Sequence, residues 1–107
     1  MRKIIVPLIS IAILAALTAT ARPKGDAEQG KKLFEQCAVC HNADTAETKV
    51  GPSLKGLFQR KKLKDGKAMS DENILAKINS GGGGMPSFAN TLSAEEKDNL
   101  LAYLHSL

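Results

Sequence analysis

The chain has 107 residues, which bounds it to one small domain. It has no Trp, one Tyr and three Phe, so a core built from side chains alone would be marginal at this size. The formal charge is +4, part of it at Arg2 and Lys3, and so mild a balance demands neither nucleic acid nor an acidic partner.

Residues 1–21 read as an export signal. Arg2 and Lys3 form a positive n-region, Ile4 through Leu17 an apolar h-region broken only by Pro7 and Ser10, and Ala19-Thr20-Ala21 an A-x-A cleavage site. As a helix, Ile4 to Leu17 spans about 21 Å, short of a hydrocarbon core of roughly 30 Å. Extended through Ala21 it reaches about 27 Å, so an uncleaved anchor stays open. No cysteine follows the h-region to take a lipid. On either reading the domain of residues 22–107 is expected outside the cytoplasm.

Asp26 is a suitable N-cap, and Gln29 three residues later completes a capping-box pattern. Gly30, Leu33, Phe34 and Cys37 then share one helical face. Gly30 costs a helix interior about 1 kcal/mol against Ala. It is either a tolerated glycine or a place where another helix crosses too closely for a Cβ.

The helix leads into Cys37-Ala38-Val39-Cys40-His41, the C-x-x-C-H pattern of covalent c-type haem attachment. Two thiols at this spacing add across the two porphyrin vinyl groups, and the adjacent His41 reaches one axial face of the iron. Three other readings compete. A redox dithiol expects a βαβ setting, and no strand pattern flanks the motif. A zinc site normally needs four ligands, and His105 is the only further Cys or His in the chain. A disulfide within the motif is disfavoured sterically. Haem attachment is the reading that the later residues complete.

Residues 42–50 are polar and read as a loop, and Gly51-Pro52 as a turn. Leu54, Leu57 and Phe58 suggest a short apolar helical turn. Gln59 to Lys67 is a basic connector holding Arg60, Lys61, Lys62, Lys64 and Lys67, and such runs are more often a solvated face than a site. Ser70 caps a helix from Asp71 to about Asn79, with Ile74, Leu75 and Ile78 as its buried stripe. Gly81 to Gly84 stops it, and four glycines either stay mobile or let backbone pass close to something. Ser93 with Glu96 is a second capping box, opening a helix to near Ser106 with Leu100, Tyr103, Leu104 and Leu107 on one face. No stretch alternates with strand period, and there is no repeat or second domain.

Iron in haem has a second axial position, and the candidate donors are Met69, Met85, His105 and the lysines. Met85, between the glycine run and Pro86, is the favoured sixth ligand: the loop can approach the macrocycle, and Pro86 stiffens its exit. Met69 reads as a partly exposed packing residue. His105 reads as an exposed imidazole suited to the end of its helix.

With these motifs in order, the chain resembles the class I c-type cytochromes, the small monohaem family that includes bacterial and algal soluble electron carriers. The resemblance covers residues 26–107. It rests on the first helix and Cys37-Ala38-Val39-Cys40-His41, then Gly51-Pro52-Ser53-Leu54, Gly84-Met85-Pro86-Ser87-Phe88, and a last helix carrying Tyr103. It implies an all-α single domain, three to five helices wrapped around one covalently bound haem, with the N- and C-terminal helices crossing. It implies that Gly30 and Phe34 meet Tyr103 at that crossing. It also implies that the Pro52 carbonyl accepts the Nδ1–H of His41, and that Leu54, Leu57, Ile74, Leu75 and Ile78 line the haem pocket. The glycine run departs from the pattern and puts the rigidity of the Met85 arm in question.

The expected function is that of a periplasmic carrier of single electrons, not an enzyme, because a His/Met pair leaves the iron no open position. Thioether ligation favours ferrous iron and raises the potential. Redox partner proteins would dock briefly over less than about 1,200 Å² in total, steered by basic residues where partners are acidic. No nucleic acid or small-molecule substrate is expected, and a membrane only if residues 1–21 stay attached. Two other readings are an electron-accepting subunit of a dehydrogenase or oxidase complex, and a gas sensor or weak peroxidase from whose iron Met85 departs.

Overall fold

The computed structural model describes residues 25–107; residues 1–21, expected to be an export signal, lie outside the described residues. Three helices carry the fold: α1 (Ala27–Phe34), α2 (Asp71–Ser80) and α3 (Ala94–His105). A single 3-10 turn at Leu57–Gln59 lies between the first two. Among the described residues there are no strands, only two isolated bridges, and no helix is long and apolar enough to cross a membrane.

The caps follow the sequence with one change. Ser70 accepts from Asn73 N at 3.1 Å and starts α2. Ser93 and Glu96 form a complete capping box on α3, each side chain taking the other's backbone N–H at 3.1 and 2.9 Å. At α1, Asp26 Oδ1 accepts from Glu28 N at 2.9 Å. The reciprocal half expected of Gln29 is supplied from elsewhere: the Asp26 N–H donates to Asn99 Oδ1, 2.7 Å away on α3. The cap thereby fastens the two terminal helices together.

Those helices cross at Gly30. A Cβ there would lie 2.6 Å from the Asn99 carbonyl carbon and 2.8 Å from Tyr103 Cβ. Gly30 is therefore the close-approach residue, and the helix-propensity cost of a glycine is offset by packing. One turn on, the Phe34 and Tyr103 rings meet at 5.2 Å with a 55° tilt, within the range of favourable aromatic pairs.

Phe34, Leu57, Ile74, Ile78, Leu92, Leu100, Leu101 and Leu104 form the core. Leu100 and Leu104 were expected inside; Leu101 and Ala102 are buried as well. α3 packs on α1, on α2 and on the 3-10 turn, so its buried arc is wider than one stripe. Tyr103 and Leu107 only border the core.

The basic connector is more ordered than a solvated run. Lys62 and Ala68 form an antiparallel bridge, Leu63 N donates to Lys67 O at 2.8 Å, and Met69 N to Lys61 O at 2.9 Å. The four lysines stay exposed. Arg60 turns back, its Nη2 donating to Ser53 O at 2.9 Å and Lys55 O at 2.7 Å.

Candidate haem-binding site

Regular helix ends at Phe34, short of Cys37, where the apolar face had been expected to continue. From there the chain tightens into overlapping turns: Cys37 N and Ala38 N both donate to Phe34 O (2.8 and 2.9 Å), Cys40 N and His41 N both to Cys37 O (3.1 and 2.9 Å). These bonds fix the spacing of the two thiols and set His41 directly behind them.

Cys37 and Cys40 are both free thiols. Burial, and then the neighbouring Cys40, push the Cys37 thiol above its ordinary value of 9.0. A redox dithiol needs the opposite, a depressed pKa that exposes a thiolate. Among the described residues no three Cys, His, Asp or Glu side chains gather to hold a metal ion, so a zinc site lacks its remaining ligands.

His41 is held from two sides. Its Nδ1 lies 2.7 Å from Pro52 O. A carbonyl only accepts, so Nδ1 carries the proton, which in the neutral ring leaves the lone pair on Nε2, the tautomer of imidazole that ligates metal. Across the ring face lies Gly51, where a Cβ would sit 2.5 Å from His41 Cε1 and 2.8 Å from Nδ1. The Gly51 N–H donates to Cys40 O at 2.8 Å, tying this turn to the motif. Arg60 braces the next residues through Ser53 O and Lys55 O. The resemblance implies the role of Pro52, whereas in the sequence Gly51 reads only as a turn residue and Arg60 as part of a charge run. The signal for Gly51 was its place between the motif's partner carbonyl and a loop.

Met85 is half-buried and packs on the apolar cluster that Cys37 also borders. Leu54, Leu57, Ile74, Leu75 and Ile78, expected around the haem, belong to or border the same cluster. The glycine run is not slack. Gly82 N donates to Met85 O at 2.9 Å, and Met85 N to Gly82 O at 3.2 Å. Gly83 and Gly84 turn between them at φ 64° and 95°, a two-residue turn that calls for glycine at both positions. Downstream, Phe88 N reaches Ile78 O at 2.9 Å and Ser87 Oγ reaches Asn79 O at 2.5 Å. Of the other candidate donors, His105 is engaged. His105 Nε2 meets Asp71 Oδ1 at 2.5 Å, and its ring stacks on Phe58 at 3.6 Å. Met69 is half-buried against the core beside the basic connector.

A covalently attached haem fits these residues. Nε2 of His41 has the lone pair it needs, the thiols are free, and a carboxamide oxygen beside the Met85 arm, Asn79 Oδ1, is buried without a hydrogen-bond partner in the protein. Val39 and Val50, 75% and 82% exposed, put apolar surface next to the motif and the Gly51 turn.

Comparison with known proteins agrees with this arrangement. Residues 25–104 match the family described as cytochrome C oxidase, cbb3-type, subunit III. Cytochrome c6 of Thermosynechococcus vestitus is 31% identical over 104 residues, 96% of this chain and 88% of that protein. Cytochrome c2 of Blastochloris viridis is 44% identical over 75 residues, 68% of this chain and 56% of that protein. The chain thus spans just over half of cytochrome c2, and about a third of the nematode cytochromes c that it matches. Among solved structures, cytochrome c6 of the diatom Phaeodactylum tricornutum superposes with a TM-score of 0.61 at 26% identity, over 77% of this chain and 93% of that one. A family match over residues 25–104 and a relative 31% identical along 96% of the chain, on a shared fold, mean that this chain belongs to the class I c-type cytochromes.

Proposed function

We propose that the chain is an exported monohaem c-type cytochrome that carries single electrons between redox partners, with residues 1–21 as its export signal and residues 22–107 as the working domain. Cys37 and Cys40 hold one haem covalently, and His41 and Met85 are its axial ligands. Haem held in this way supplies a one-electron ferric/ferrous couple, with potential raised by the thioether. The protein's part is to hold the ligands and exclude water. The Pro52 carbonyl keeps His41 in the ligating tautomer and makes it more basic. The bonded Gly82–Met85 turn presents a soft donor, and the Leu54–Leu57–Ile74–Ile78 wall keeps the surroundings apolar. Exposed Val39 and Val50 give partners a small apolar contact, and Lys61, Lys62, Lys64 and Lys67 steer acidic ones.

The observation that carries this reading is the His41–Pro52 hydrogen bond, because it prepares Nε2 for iron and has no use in a dithiol. A second reading is favoured by the matched family's own description as an oxidase subunit: the domain would then be the electron-accepting module of a larger membrane complex. A gas sensor or weak peroxidase is a third reading, which the hydrogen-bonded Gly82–Met85 turn does not favour. The test is attachment. In protein made with the haem-attachment machinery, haem should stay with the chain through acid acetone and titrate as a single one-electron couple. The Cys37→Ala/Cys40→Ala variant should retain none; haem remaining covalently bound there would contradict the assignment.

A further inference from the structure

Lys77 lies on the exposed side of α2, eight positions before Met85, yet it does not extend into solvent. Its Nζ donates to Gly81 O at 3.2 Å and to Gly82 O at 3.4 Å. Its own carbonyl accepts the Gly81 N–H at 2.8 Å, closing α2. The second of these acceptors matters most. Gly82 O also takes the Met85 N–H, and Gly82 N donates to Met85 O. One carbonyl, with two lone pairs, thus joins the ammonium and the Met85 backbone.

We propose that Lys77 is the positioning residue for Met85: its ammonium pins the Gly81 and Gly82 carbonyls and so fixes the turn that presents the thioether. This rests on Met85 being the sixth ligand. The turn needs such a fastening. A Cβ at Gly83 or Gly84 would meet nothing within 4 Å, both residues are exposed, and glycines lose the most conformational freedom on ordering. Ser80 Oγ and Ser87 Oγ secure Gly81 O and Asn79 O, at the base of the arm. Among the described residues, Lys77 is the side chain that bonds Gly82. Its site is favourable for a cation, since the carbonyl end of α2 carries partial negative charge. Without the ammonium, the Gly82–Met85 bonds open more often, and the thioether leaves the iron in proportion.

The test uses holoprotein and three readouts: carbon monoxide uptake by reduced protein at neutral pH, reduction potential, and hydrogen exchange at the Met85 amide. Lys77→Ala should raise carbon monoxide uptake and Met85 amide exchange by roughly three- to tenfold, the range for losing a charged hydrogen bond at a partly exposed site, and should lower the potential. Lys77→Arg, which keeps charge and donors, should return all three close to the parent. Lys97→Ala removes an equal charge and a similar bond, from Lys97 Nζ to Ala89 O at 3.1 Å, and should change none of them. Met85→Ala separates the two claims. If it abolishes the sulfur-to-ferric charge-transfer band while Lys77→Ala is silent, or is matched by Lys97→Ala, the positioning role is wrong and the ligand assignment stands. If the band survives Met85→Ala, the ligand assignment fails and the role of Lys77 fails with it.

Discussion

Gly51 lies against the face of the His41 imidazole so closely that no side chain fits between them: an added Cβ would be 2.5 Å from Cε1 and 3.0 Å from Nε2. The geometry of the ring is thus set by a missing side chain on one face and by the Pro52 carbonyl on its edge. Gly51→Ala should push the ring off this seat and strain the bond to Pro52, costing about 1–3 kcal/mol as overpacking does. Denaturant titration of holoprotein reads the loss, and the potential should move with it, because the partner of a ligating histidine tunes its basicity. A variant with unchanged midpoint and potential would show that the ring stands free of Gly51.

The crossing of α1 and α3 makes a parallel prediction away from the site. Gly30→Ala gains about 1 kcal/mol in helix propensity but places a methyl group 2.6 Å from the Asn99 carbonyl carbon. The clash involves backbone, which cannot swing aside, so the net effect should be destabilising by roughly 1–2 kcal/mol. The haem spectrum should be unchanged. A stabilised Gly30→Ala protein would place the crossing elsewhere.

Tyr103 gives a pH dependence with a definite sign. Burial, and then the Asp44 carboxylate, hold its phenol above the ordinary value of 10.0. As pH rises past 10.0 the unfolded chain gives up this proton before the folded one does, so the stability present below that value is lost as pH climbs through the folded pKa. Tyr103→Phe should make the decline of stability between pH 9 and 11, roughly the range that brackets the phenol, shallower than in the parent. Equal slopes in the two proteins would assign the decline to other groups.

Much of this was legible in the chain because it is local. The Ser70 and Ser93 caps and the apolar face of α2 are patterns within a few residues. Gly30 was legible as a question, and the resemblance supplied Tyr103 as its answer. What escaped was long-range and often backbone-mediated. Asn99 caps α1 from 73 residues away, and no local pattern announces it. Leu101 and Ala102 are buried because α3 has neighbours on several sides, and Leu92 because the loop before α3 folds inward. The glycine run looked slack because composition reports conformational freedom, whereas the Gly82–Met85 bonds that use up that freedom exist only in the folded turn.

The account rests most heavily on Met85, and the most direct measurement is the weak sulfur-to-ferric charge-transfer band in the Met85→Ala, Met69→Ala and His105→Ala holoproteins. Met85→Ala should keep its covalent haem, lose the band, bind carbon monoxide when reduced and show a lower potential. Met69→Ala and His105→Ala should keep the parent's band, Met69 being packing beside the connector and His105 being engaged by Asp71 and Phe58. Persistence of the band in Met85→Ala, or its loss in Met69→Ala or His105→Ala instead, would contradict the assignment of the iron's sixth ligand.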